Sequence, residues 1–104
     1  MDYLPVCLKL ERSPVLLVGG GTVATRKARL LQRAGARMTV VAPDISRELE
    51  QMLADGGGIW RQARYTQSDL DDQSLVIAAT PDGAVNLQVH PPAVARNLPV
   101  NVVD

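Results

Sequence analysis

The sequence predicts an α/β domain with a doubly wound parallel sheet, and three observations carry that expectation. The runs Val15-Leu16-Leu17-Val18 and Leu75-Val76-Ile77-Ala78-Ala79 are continuously apolar, as strands buried on both faces are. Segments with helical spacing separate the apolar runs. A glycine cluster stands directly between the first run and the first helical segment. At 104 residues the chain is read as one domain, 1–104.

Taken in order, residues 15–18 form the first strand, and Pro14 and the glycines bound it. Over residues 23–34 the apolar positions Val23, Ala24, Ala28, Leu31 and Ala34 follow a helical period, with Arg26, Lys27, Arg29 and Arg33 distributed around the helix and Gly35 as C-terminal cap. Residues 38–42 form a second strand, closed by Pro43. Asp44 or Ser46 caps a helix running to about Leu53, with Glu48 and Glu50 near its positive end. After Gly56-Gly57-Gly58, the alternating Ile59-Trp60-Arg61-Gln62-Ala63 reads as a strand nearer the sheet edge. A helical turn over 68–73 precedes the strand at 75–79, and residues 99–103 form the last strand. The crossover segment 83–97 contains Pro91 and Pro92, so its helix is expected to restart there or to be kinked. The order of elements gives right-handed crossovers on a parallel sheet.

Composition excludes several functions. Eleven basic and eleven acidic residues cancel, so no net field draws the chain to nucleic acid or to an anionic membrane. Phe is absent and aromatics are reduced to Trp60, Tyr3 and Tyr65, which leaves a core of Val, Leu, Ile and Ala. Cys7 is the only cysteine: it permits no internal disulfide and no cysteine-based zinc site, and its apolar surroundings predict a small buried hydrophobe. His90 has no second histidine or cysteine to complete a metal site and is read as a cap or surface residue. The first residues lack the basic and apolar regions of a signal peptide, and no apolar run approaches the roughly 20 residues of a membrane span. The expected location is the cytoplasm.

The chemistry lies in the glycine turn. Gly19, Gly21 and Ala24 match G-x-G-x-x-A between a strand and a helix, the pattern of a Rossmann-type NAD(P)-binding domain. Gly19 permits the tight turn, Gly21 lets backbone approach a pyrophosphate, and Ala24 lets the helix pack close to the sheet. The free N–H groups around Thr22 and Val23 then hold the anion. Asp44 stands about 20 residues beyond Ala24, where an acid meets the adenosine ribose, although it is equally placed to cap the next helix. No arginine follows Pro43 immediately, so NAD is expected over NADP. Thr80, at the carboxyl end of the fourth strand, either touches cofactor or substrate or shares with Asp82 the capping of the next helix.

With these residues on the page, the whole sequence resembles the N-terminal domain of the siroheme synthase family, the precorrin-2 dehydrogenases and sirohydrochlorin ferrochelatases. The resemblance rests on Leu4-Pro5-Val6, on the run from Val18 to Leu31, on Ala34-Gly35-Ala36 and Val41-Ala42-Pro43-Asp44, and on Ile77-Ala78-Ala79-Thr80, Val85-Asn86 and the ending Pro99 to Asp104. The Arg26-Lys27-Ala28 that follows the glycine turn and the final Asn101-Val102-Val103-Asp104 are distinctive together. The resemblance implies NAD-dependent oxidation of precorrin-2 to sirohydrochlorin, then insertion of ferrous iron to give siroheme. It also implies NAD contacts at Thr22-Val23 and Pro43-Asp44, and a catalytic role for Asp104. By itself Asp104 reads first as a solvated strand-end acid, and the resemblance reverses that; a carboxylate is the group needed to take protons from ring nitrogens when a metal enters. Arg26, Lys27 and Arg29 either contact substrate carboxylates or form a solvated basic face. Family members continue into a dimerisation region and a helical part, so this chain is expected to be a fragment of a homodimer, able to bind NAD and inactive alone. An NAD-sensing regulatory module without catalysis, or another dehydrogenase's cofactor domain, is the rival reading.

Overall fold

In the computed structural model, which describes residues 4–103, five strands form one sheet in the order β3-β2-β1-β4-β5. The strands are β1 Pro14–Val18, β2 Arg37–Val41, β3 Ile59–Arg61, β4 Leu75–Ala78 and β5 Val100–Val102. The helices are α1 Thr22–Arg33, α2 Arg47–Gly56 and α3 Gly83–Ala95, and a 3-10 turn, Gln67–Leu70, precedes β4. All neighbouring strands pair in parallel. The chain starts at the centre of the sheet, moves outward to β3, and then crosses to β4. That reversal at β1 is a topological switch point, the place where doubly wound sheets bind ligands.

The period-two geometry of β1 explains its unbroken apolar run. Val15 and Leu17 face one core with Ala24, Ala28 and Leu31 of α1 and Leu49, Met52 and Leu53 of α2. Leu16 and Val18 face a second core with Val89 and Ala93 of α3 and with Leu70. Every side chain from Val15 to Val18 is buried. α1 presents Ala24 and Ala28 to the sheet, both fully buried, and such small residues let a helix approach closely. β3 is an edge strand, as its alternation predicts, with Ile59 exposed.

Two open local alternatives are resolved and one expectation changes. Ser46, not Asp44, caps α2: its Oγ accepts from the Leu49 N–H at 3.1 Å. α3 neither stops nor restarts at its prolines but runs through both as one helix, capped by Asp82, which accepts from the Ala84 N–H at 2.9 Å. Pro91 and Pro92 cannot donate to the carbonyls of Leu87 and Gln88. These two residues are exposed, where water meets the carbonyls, while Asn86, Val89 and Ala93 hold the other face of the helix to the sheet. Cys7 is exposed rather than buried. It lies in an irregular stretch with Leu4, Val6 and Leu8 also exposed, because the sheet begins only at Pro14 and offers that stretch no partner. His90 is an exposed residue of α3. Among the described residues no helix is long and apolar enough to cross a membrane, and no cluster of three metal-ligating side chains occurs.

The loop after β3 is braced by a bidentate pair. Arg61 donates through Nε and Nη2 to the two carboxylate oxygens of Asp69, both at 2.7 Å. The Thr66 N–H also donates to Asp69, at 2.8 Å. Burial pushes the Asp69 carboxyl up, but the hydrogen bonds from Arg61 and Thr66 outweigh it and hold the group below the ordinary carboxylate range.

Two measurements follow from these elements. Pro91→Ala restores a helix N–H on an exposed face, and urea unfolding is expected to show a gain of about 1–2 kcal/mol. The gain is smaller than the roughly 3 kcal/mol helix penalty of proline because proline also restricts the unfolded chain. Because folding depresses the Asp69 pKa, its stabilisation is complete above the unfolded-state value and is lost as pH falls through the folded value. The stability gap between wild type and Asp69→Asn should therefore be widest near neutrality and close below about pH 4. A gap that stays constant from neutral to acid pH would contradict the assignment.

Candidate functional site

At the carboxyl ends of the strands lies an open cleft of about 590 Å³. The glycine turn forms its floor. Val41 to Asp44 and the loop at Ala63-Arg64-Tyr65 form one flank, and Thr80, Pro81, Asp82, Val85 and Gln88 form the other. The expected residues Gly19, Gly21, Pro43, Asp44 and Thr80 thus line one cavity.

The three glycines serve different purposes. Gly19 has φ of +127°, and a Cβ there would lie 2.4 Å from the Ala79 carbonyl oxygen. Both facts exclude a side chain. A Cβ on Gly20 would lie 2.1 Å from the Asp44 carbonyl oxygen and 2.8 Å from Ile45. The pattern G-x-G-x-x-A leaves that middle position free, so sequence reasoning missed it. The constraint arises because the turn after β1 packs on the turn after β2, and the only local sign is the uninterrupted glycine triplet. Gly21 is the opposite case: a Cβ there meets nothing within 4 Å. The space above it is open to the cleft.

Gly21 is also the N-terminal flanking residue of α1, and no side chain caps that end. The first turn of α1 holds no acidic residue, so its N–H groups at Thr22, Val23 and Ala24 have neither an intrahelical acceptor nor a neutralising carboxylate. Val23 packs its side chain toward the first core, which leaves its N–H as the group it offers. These features fit a pyrophosphate, since the helix end supplies the partial positive charge and Gly21 the room.

The turn is held by the start of α2. Thr25, buried under the turn, donates from Oγ1 to the Gly21 carbonyl at 2.7 Å and lies 2.6 Å from Ser46 Oγ. The Ser46 N–H donates to the Gly20 carbonyl at 2.8 Å. With Ser46 as cap, the Asp44 carboxylate makes no hydrogen bond to any described residue, and Asp44 is exposed at the cleft. Its backbone is braced from the edge strand: Trp60 Nε1 donates to the Ala42 carbonyl at 3.0 Å, and Gln62 Nε2 donates to the Pro43 carbonyl at 3.3 Å.

Arg64 lines the cleft on the same flank as Asp44. Nothing local in the sequence marks it, since it stands far from Pro43 along the chain. The adjacency comes from β3 pairing with β2. Of the basic residues on α1, Arg29 is bound to Glu48 of α2 in a bidentate ion pair, and Arg26 is exposed.

Thr80 does not cap α3. Its Oγ1 lies 2.8 Å from both the Asp82 carbonyl and Asn86 Oδ1, and Asp82 supplies the cap. Asp104 lies outside the described residues. The residue before it, Val103, donates its N–H to the Ala78 carbonyl at 2.9 Å, so β5 delivers the chain to the same end of the sheet as Thr80.

Comparison with known proteins agrees with this geometry. A family described as "Putative NAD(P)-binding" matches residues 6–104. The siroheme synthase of Saccharophagus degradans is 54% identical over 104 residues, covering 100% of this chain and 23% of that protein. The siroheme synthase of Pseudomonas entomophila is 53% identical over 104 residues, 100% of this chain and 22% of that protein. The chain therefore spans less than a quarter of the length of these curated relatives. Among solved structures, "SirC, precorrin-2 dehydrogenase" superposes with a TM-score of 0.80 at 34% identity, covering 95% of this chain and 48% of that one.

The turn geometry makes a paired prediction. Gly20→Ala should cost about 2–3 kcal/mol in urea unfolding, in the upper range for overpacking, because its clash is with backbone. Gly21→Val should leave stability within about 1 kcal/mol yet abolish dinucleotide binding in a calorimetric titration, since the side chain fills the open space. Normal binding by Gly21→Val would remove the phosphate site from this turn.

Proposed function

This chain belongs to that NAD(P)-binding family, and from that premise we propose that it is the NAD-binding domain of an enzyme that oxidises precorrin-2 to sirohydrochlorin. The observation that carries the proposal is Gly21, which flanks the uncapped start of α1 and lines a cleft with Asp44 on one side and Thr80 on the other. Half-sequence identity to siroheme synthases and the superposition on a precorrin-2 dehydrogenase support the substrate class.

NAD, when bound, supplies the hydride acceptor. The protein's part is to hold it across the switch point. The N–H groups at Thr22 and Val23 take the pyrophosphate, with Gly19 and Gly21 shaping the approach. Asp44, relieved of any capping role by Ser46, accepts from the ribose hydroxyls, and Pro43 sets the bend that presents it. Thr80 stands toward the reacting end. Asp104, next after Val103, is the base for protons released as the tetrapyrrole is oxidised. In the longer protein it is also the base for ring protons displaced when ferrous iron is inserted as the second substrate. That longer protein is read as a cytoplasmic homodimer, with the isolated chain able to bind the cofactor but inactive.

The test has two parts. Calorimetric titration should show NADH binding more tightly than NADPH, with Asp44→Ala erasing the preference. Tighter binding of NADPH would reverse the assignment, with Arg64 the cation at hand on that flank. In the full-length protein, Asp104→Asn should leave NAD affinity unchanged and lower NADH formation from precorrin-2 and iron insertion into sirohydrochlorin by about 10²–10⁴-fold. Wild-type rates in both assays would leave Asp104 an ordinary strand-end acid.

A further inference from the structure

Asn86 lies near the start of α3 and is buried, one of two buried polar residues in the described chain. Its amide is hydrogen-bonded through both of its N–H groups and through its oxygen. Oδ1 accepts from the Thr80 N–H at 2.9 Å and lies 2.8 Å from Thr80 Oγ1. Nδ2 donates to the Thr80 carbonyl at 3.0 Å and to the Val103 carbonyl at 3.3 Å. Both amide donors are engaged and Oδ1 accepts from the Thr80 N–H, while the single Thr80 hydroxyl proton is shared between Oδ1 and the Asp82 carbonyl. The paired bonds to the N–H and C=O of one residue are what a neighbouring strand would provide. Asn86 therefore prolongs the end of β4 past Ala78 and ties it to the end of β5.

The location of this tie is informative. Asn86 itself does not line the cleft, whereas Thr80 does, as do Val85 and Gln88 from the same helix. Gly19 abuts the Ala79 carbonyl and the Thr80 nitrogen, so the glycine turn, the end of β4 and the end of β5 form one connected body. Asp44 and the β3 loop lie on the other flank, with no link to Asn86. An apolar residue of similar size would pack α3 on the sheet equally well. It would leave the Thr80 N–H without its acceptor and the Val103 carbonyl without its donor, in a region where unpaired polar groups are costly.

We propose that Asn86 is a positioning residue for the nicotinamide half of the dinucleotide, acting through Thr80 and through the chain at Val103. The proposal rests on the dinucleotide reading above, and it divides the cleft into two flanks that are held independently. The adenosine flank is set by Ser46, Trp60 and Gln62, and the nicotinamide flank by Asn86. The amide aims the Thr80 hydroxyl and fixes the Val103 carbonyl just after β5.

The division is testable with two ligands on the 104-residue chain. ADP-ribose engages the adenosine flank and the pyrophosphate turn, while NADH engages both flanks. Asn86→Ala is expected to bind ADP-ribose within about twofold of wild type and NADH about tenfold more weakly, the equivalent of one lost hydrogen bond. Asn86→Asp keeps the size and one acceptor, replaces the donor with a second carboxylate oxygen and adds a negative charge, and it covers the case in which the alanine variant fails to fold. It should show the same selective loss of NADH affinity, with amide hydrogen exchange retained at the Thr80 N–H and accelerated in the segment after Val102. A parallel loss of both ligands means that Asn86 merely stabilises the domain, and that result overturns the proposal, as does an unchanged ratio in Asn86→Asp. A wild-type chain that binds neither ligand overturns the dinucleotide reading itself, and this inference with it.

Discussion

Backbone approaching backbone at the glycine turn is the constraint on which this structure depends. Gly19 sits against the carbonyl at the end of β4, and Gly20 sits against the carbonyl of the turn after β2. Neither contact leaves room for a Cβ. Together they draw the three central strand ends to a common point, and α1 springs from that point with its first N–H groups uncapped. A larger residue at either position would force the strand ends apart and dissolve the cleft. The third glycine then has a different purpose, since nothing in the protein occupies the space beside it. Two of the glycines close the fold and one leaves it open.

Around that point the flanks are built from hydrogen bonds between residues far apart in sequence. Thr25 and Ser46 join the first turns of α1 and α2 beneath the glycines. Trp60 and Gln62 reach from the edge strand to the carbonyls of Ala42 and Pro43. Arg61 and Asp69 pin the loop that brings Arg64 to the cleft. On the far side, Asn86 joins the ends of β4 and β5. Rigid support of this kind suits a cofactor site, where a shift of about 1 Å in a bound group costs much of the rate. The cleft is a surface feature, but what positions it lies one layer below.

Much of the fold was legible in the sequence because its signals are local. Burial on both faces writes itself as unbroken apolar runs at β1 and β4, and the shorter alternation at β3 marks an edge. Helical period and caps located α1 and α2 to within a few residues. At the tandem prolines the sequence leaves open whether the helix restarts, because proline's cost is judged there from the helix alone. In α3 the lost hydrogen bonds fall at exposed residues, while Asn86, Val89 and Ala93 secure the opposite face to the sheet. Cys7 misled: an apolar neighbourhood in sequence predicts burial only if a partner surface exists, and among the described residues none stands beside that stretch.

The sequence by itself determined the class of the protein: a parallel doubly wound sheet, a glycine turn at Gly19 to Ala24 between its first strand and first helix, and an acid just after the second strand. These follow from steric and hydrophobic rules that act within one element or between consecutive ones. Tertiary structure decided the rest. It made Ser46 rather than Asp44 the cap of α2, made Gly20 as indispensable as Gly19, brought Arg64 beside Asp44, and placed Asn86 between Thr80 and Val103. Each of these is a contact between turns at the same end of the sheet. Strand order sets such contacts, and the residues involved carry no local mark of them. Competition between two carboxyl-end candidates for one cap, or between a free and a crowded glycine, is resolved only when the third dimension shows which neighbour is already there.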